Sequence, residues 1–158
     1  MERLWASMEQ VEPDAFVAQV EALTRELPQG SAVAPFERGC AQDSTGHPDR
    51  AVPLYEAALA AGLEGIRRRR AVIQMASSLR NLGRAERSVA LLREELARGH
   101  DELEGAVRGF LALALADCGR SREAAGHALL ALAPCLPRYN RSLERYAREL
   151  VDPAVDGK

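Results

Sequence analysis

AVIQMASSLRNLGRAERSVALLREEL, residues 71–96, is the stretch that decides the fold. Its apolar side chains recur at Val72, Met75, Ala76 and Leu79 and, past Gly83, at Ala85, Val89, Leu92 and Leu96. That three-and-four spacing is the pattern of two successive amphipathic helices. Gly83 is the joint between them, because the left-handed conformation that closes a helix is most accessible to glycine. Shifting the sequence forward by 36 residues lays Gly83 on Gly119, Arg84 on Arg120, Ala76 on Ala112, Leu79 on Leu115 and Leu96 on Leu132. Shifting it back by 37 lays Gly83 on Gly46, Val89 on Val52 and Leu96 on Leu59. Helix-turn-helix units repeating with a period in the mid-thirties predict a helical solenoid.

Outward from that hairpin, the chain reads as a single domain over residues 1–158. A helix over 14–27, opened by Pro13 and striped by Phe16, Val20, Leu23 and Leu27, precedes the repeats. The first repeat covers 32–62 and is the least regular: Arg38 and Gln42 stand where large apolar residues are expected, and Gly39 weakens its first helix by about 1 kcal/mol relative to Ala. The second covers 65–99. The third covers 101–134 and begins with Asp101-Glu-Leu-Glu104, the spacing of a capping box in which Glu104 reaches back to the helix start. A last helix over 137–151 carries Tyr139, Leu143, Tyr146, Ala147 and Leu150 on one face, and 152–158 reads as a frayed tail.

The small and large residues Ala76, Ala112, Leu79 and Leu115, with Ala51, Tyr55, Ala58, Ala124 and Ala131 in the second helices, make the chain resemble the tetratricopeptide repeat family. The phrases GHPDRAVPLYEAALAAGL, ASSLRNLGR and LALALADCGRSREAAG look like its bacterial group 5 branch, and the resemblance spans Ala32 to Tyr146. It implies an all-α, right-handed superhelical array of about three hairpins with an additional helix at each end. It implies also a concave groove, lined by the first helix of each hairpin, that binds an extended or helical peptide.

Composition removes several other classes. The net charge of -2 draws in neither nucleic acid nor anionic membrane, and Lys158 is the only lysine, so no Schiff-base or phosphate-loop lysine sits inside the fold. Cys40, Cys118 and Cys135 are an odd, unpaired set, which fits reduced thiols and a cytoplasmic protein. The opening MERLWASMEQVEPDAF has no apolar run long enough for a signal sequence or a membrane span. His47, His100 and His127 are scattered without metal-ligand spacing, so we expect no metal and no cofactor. Cys40 paired with a distant histidine is the one nucleophile to consider, against the simpler reading of a small packing residue. Arg67 to Arg70 oppose the dipole at a helix start and call for solvation, a neighbouring Glu56, Glu64 or Glu102, or an acidic partner.

On a helical wheel of the second repeat, Val72, Met75, Ala76 and Leu79 share one arc and Arg70, Ile73, Gln74, Ser77, Arg80 and Asn81 the opposite one. In the same register stand Phe36, Glu37, Cys40, Asp43 and Ser44 from the first repeat and Ala106, Gly109, Phe110, Leu113 and Asp117 from the third. The expected groove has apolar patches at Phe36, Ile73 and Leu113, hydrogen-bonding groups at Gln74, Ser77 and Asn81, and Arg80 for a carboxylate. The lysine by which some family members grip a C-terminal carboxylate is missing. The sequence thus points to a non-catalytic module for a protein or peptide partner. A self-associating scaffold, forming a homodimer through its end helices, is the alternative.

Overall fold

In a computed structural model, residues 1–152 are described; the expected tail beyond Asp152 lies outside them. Among the described residues there are nine α-helices and no strand. By contact the chain divides into two units, Met1–Leu82 and the residues from Gly83 on. Each stacks helices that are neighbours in sequence.

In the first unit α1 (Glu2–Ala6) and a 3-10 turn (Met8–Gln10) lead into α2 (Pro13–Thr24), α3 (Val33–Ser44), α4 (Pro48–Ala60) and α5 (Gly65–Asn81). Helix α3 packs along α4, α2 along α3, and α5 against both α3 and α4. Pro13 and Pro48 each sit in the first turn, where a missing N–H costs nothing. The N-terminal segment is held in place. The Trp5 ring meets Phe16 edge-on at 5.0 Å, and its indole N–H donates to Glu37 Oε2 at 2.9 Å. Phe16, Val20 and Ala41 form a buried cluster under Leu4, Trp5, Met8 and Val11. The inner stripe of α2 is therefore Phe16, Val20 and Thr24; Leu23 and Leu27 are half-buried, and the helix ends at Thr24, short of Leu27.

The second unit comprises α6 (Ala85–Ala97), α7 (Glu104–Asp117), α8 (Ser121–Leu132), a 3-10 turn (Ala133–Cys135) and α9 (Asn140–Val151). Helix α7 packs on both α6 and α8, and α9 closes on α8. Val107, Leu111, Ala114 and Leu115 are fully buried along α7. Each large side chain so buried contributes roughly 1.5–3 kcal/mol. The capping box expected at 101–104 takes another form. Asp101 Oδ1 accepts the N–H of Leu103 at 2.9 Å, and the Glu104 carboxylate is taken by His100 and by Arg108 Nε. With the Arg108 guanidinium within reach, the glutamate gains more from a charge-assisted bond than from a backbone N–H.

The repeat register is visible in the backbone. Gly46, Gly83 and Gly119, which superpose in the sequence, take left-handed φ of 84°, 71° and 73°. After α3 the His47 N–H reaches the Gln42 carbonyl and the Gly46 N–H that of Asp43. After α7 the Arg120 N–H reaches Leu115 and the Gly119 N–H reaches Ala116. This paired closure satisfies carbonyls that a helix end leaves orphaned, and it sets the angle at which the next helix returns.

Candidate interaction surface

Helix α5 departs from the two-arc wheel. Ala71, Val72, Ile73, Met75, Ala76, Ser78 and Leu79 are all buried, and so is Arg69 at the start. Because α3 and α4 both pack on it, more than one stripe is covered, and Ile73 moves from the expected outer arc to the inside. Past the exposed first turn, Gly65 to Arg67, what stays accessible is narrow: Arg70 and Asn81 are exposed, with Gln74, Ser77 and Arg80 half-buried between them.

Helix α3 contributes from below. Phe36 and Cys40 are buried at 1% and 2% exposure, so neither is an open groove floor. Phe36 instead supports the Arg70 guanidinium, which lies 5.5 Å above its ring centroid. Such stacking fixes the orientation of a side chain that would otherwise sample many rotamers. The Cys40 thiol donates to Gln74 Oε1 at 3.3 Å, holding that amide on the surface. One turn on, Ser78 Oγ donates to Asp43 Oδ1 at 2.7 Å. Structure thus brings Phe36, Cys40, Asp43, Arg70, Gln74 and their neighbours Ser77, Arg80 and Asn81 onto one pair of helices.

Tyr55 of α4 completes this cluster, and the groove reading overlooked it. Its ring lies fully buried with its hydroxyl near Cys40 and Asp43, yet in hydrogen-bonding geometry with neither. The ring lies against Gly39 of α3, where an added Cβ would come within 2.9 Å of it, a contact across the hairpin that no local pattern announces. The glycine that weakens α3 makes room for a tyrosine. Burial pushes the Cys40 thiol up to about 11 and raises Asp43 above the usual carboxylate range, the latter partly offset by the Ser78 bond. A thiol held protonated and bonded to an amide is not an activated nucleophile. Cys40 pairs with Gln74, Ser78 with Asp43, and His47 with the Thr45 hydroxyl, so these groups do not assemble a nucleophile with a histidine base.

In the second unit, Phe110 is half-buried, and Leu113 and Asp117 are exposed, along one side of α7. Beneath the other side lies a charged cluster that the sequence reading did not find. Glu123 is gripped by Arg93 and Arg120 and stands 3.8 Å from the buried His127. Burial, and then the nearby Arg108, hold the imidazole down to about 4. The signal was local: Arg120 and His127 flank Glu123 at three and four residues.

The group 5 model of the tetratrico peptide repeat matches residues 32–150, about three quarters of the chain, and the chain belongs to that family. Proteins of the family generally mediate protein–protein interaction and are typically non-catalytic. No curated protein and no solved structure matches the chain. Among the described residues, no helix is long and apolar enough to cross a membrane.

Proposed function

We propose that this chain is a non-catalytic, cytoplasmic interaction module whose α3/α5 face binds an extended or helical segment of a partner protein. The reading rests on the repeats expected from the sequence over 32–62, 65–99 and 101–134 and on the flanking helices expected over 14–27 and 137–151. The observation that carries the reading is the preset row on α5. Arg70 is stacked on Phe36, Gln74 is held by Cys40, and Ser77 and Asn81 follow at helical spacing. Side chains fixed before binding lose less entropy when a partner arrives. Arg70 and Arg80 suit carboxylates, Gln74, Ser77 and Asn81 suit main-chain amides, and Asp43 suits a cationic or N–H donor at the far end. Phe110, Leu113 and Asp117 on α7 are the corresponding contact residues of the second unit.

The test is binding by the Arg70→Ala/Asn81→Ala double variant. Partner affinity should fall at least tenfold with stability within about 0.5 kcal/mol of the parent, as for exposed positions. Unchanged affinity would remove this face from the function. Self-association through the end helices is the second reading. An open pocket of about 420 Å³ lined by Met1, Arg3, Leu4, Gln19, Ala22 and Leu23 favours it at the N-terminal end. A mass that rises with concentration and falls on Leu23→Glu would support it.

A further inference from the structure

Helix α9 is held rigidly on its inner side and carries an unusual outer one. Gly126 of α8 lets it approach closely: a Cβ there would stand 2.9 Å from the Ala147 carbonyl oxygen, 2.7 Å from Val151 and 3.0 Å from Leu150. Ala147 is its single buried residue. Tyr139 and Tyr146, expected on the packing face, are instead 78% and 53% exposed. Leu143, Ala147 and Leu150 make the inner stripe, which leaves Tyr146 at its margin. Tyr139, at the helix start, has a left-handed φ of 66°, a conformation tyrosine rarely takes. Next to these tyrosines in the sequence stand Arg138, Arg141 and Arg145, none ion-paired with a carboxylate among the described residues, and the Arg145 guanidinium lies 4.8 Å over the Tyr146 ring. Of the two nearby acids, Glu144 is paired with Arg148. In a chain of net charge -2, the segment from Arg138 through α9 sets Arg138, Arg141, Arg145 and Arg148 against Glu144 and Glu149, beside two solvent-facing tyrosines. Exposed tyrosine with arginine is the composition of an interface hot spot, and its charge sets the sign of the partner.

We infer that the outer face of α9 is a second docking surface, taking an acidic segment of another protein whose carboxylates meet Arg138, Arg141 and Arg145 and whose apolar side chains cover Tyr139 and Tyr146. A symmetric pairing of two α9 faces would oppose arginine to arginine, which disfavours a second copy. Glu144 and Glu149 interrupt the basic surface, which disfavours a continuous phosphate backbone.

The experiment is fluorescence anisotropy of the full chain with a labelled twelve-residue peptide of alternating Glu and Leu, a matched Gln/Leu peptide, and a single-stranded RNA dodecamer. The Glu peptide should bind more tightly than the other two probes, and more weakly as salt is raised. Arg141→Ala/Arg145→Ala should weaken it about tenfold and Tyr146→Ala severalfold, while Arg50→Ala, at an exposed position of α4, leaves it unchanged. Because the substituted side chains point outward, helical content and melting temperature should stay at parental values, which separates lost docking from lost folding. The inference is overturned by absent or equal binding of the Glu and Gln peptides. It is overturned equally by tighter RNA binding, by sensitivity to Arg50 rather than to α9, or by a concentration-dependent mass that the Arg141/Arg145 variant abolishes.

Discussion

The two units solve the same problem, burying polar groups between helices, in opposite ways. In the first, Cys40, Tyr55, Gln74 and Ser78 are neutral groups gathered around one carboxylate, Asp43, which accepts a hydrogen bond from the Ser78 hydroxyl. In the second, Glu123 stands among Arg93, Arg120 and His127. A cluster of neutral donors around a single carboxylate fixes side chains with little dependence on salt, as suits a cluster lying directly beneath a proposed binding face. A charged cluster ties its stability to protonation.

The largest effect expected from that contrast is on pH dependence. His127 is held neutral in the fold at about 4, below its ordinary 6.5, so the unfolded chain binds the proton first. Its contribution is complete above pH 6.5 and is lost as pH falls toward 4, by up to about 3 kcal/mol if the whole shift is realised. Urea unfolding across that range should show the loss, and His127→Gln should flatten it; an unchanged slope would mean that other groups set the acid limit. Next come the two helix glycines that sit against a neighbouring helix, Gly39 and Gly126. Gly126→Ala pushes a methyl against backbone and should cost about 1–3 kcal/mol, and Gly39→Ala meets a buried ring and should cost somewhat less, since Ala favours the helix. Gly109, with nothing within 4 Å of its added Cβ, should gain about 0.5–1 kcal/mol as Ala. Equal effects at all three would remove close helix approach as the reason for Gly39 and Gly126.

A smaller effect tests the neutral cluster. Tyr55→Phe removes a buried hydroxyl that lacks a bonded partner, so stability should hold or rise by up to about 1 kcal/mol. A loss of that size would show that the hydroxyl is bonded to Asp43 or Cys40. Least disruptive is thiol labelling of the folded chain: Cys135, exposed, should react first, Cys118 later, and Cys40 only on unfolding. Early labelling of Cys40 would mean that the α3/α5 contact opens.

The helices and their turns were legible because each signal is local. Gly46, Gly83 and Gly119 mark equivalent closures, and on α6 the expected Val89 and Leu92 are buried, while Ala85 and Leu96 are half-buried and Ser88 and Glu95 lie inside. The site was legible only in part. Position along α3 and α5 follows from the repeat, but burial of Phe36, Cys40 and Ile73 depends on how many neighbours each helix acquires, which one helical wheel does not contain. Gly39 and Tyr55 are linked by contact across a hairpin, so the glycine reads as a weakness until the ring is seen against it. The tyrosines of α9 fail for the converse reason: an end helix has one packed side, and aromatic character alone does not say which residues take it.

The central claim is that the outward row of α5 is where a partner sits. The most direct measurement is site-specific photo-crosslinking, with a benzophenone side chain placed at residue 74, or at residue 57 on the exposed side of α4, in cells that make the full chain. The account predicts one partner crosslinked at 74, not at 57, and lost when Arg70→Ala/Asn81→Ala is added. Crosslinking at 57 alone, or a residue 74 adduct indifferent to that double substitution, would contradict it.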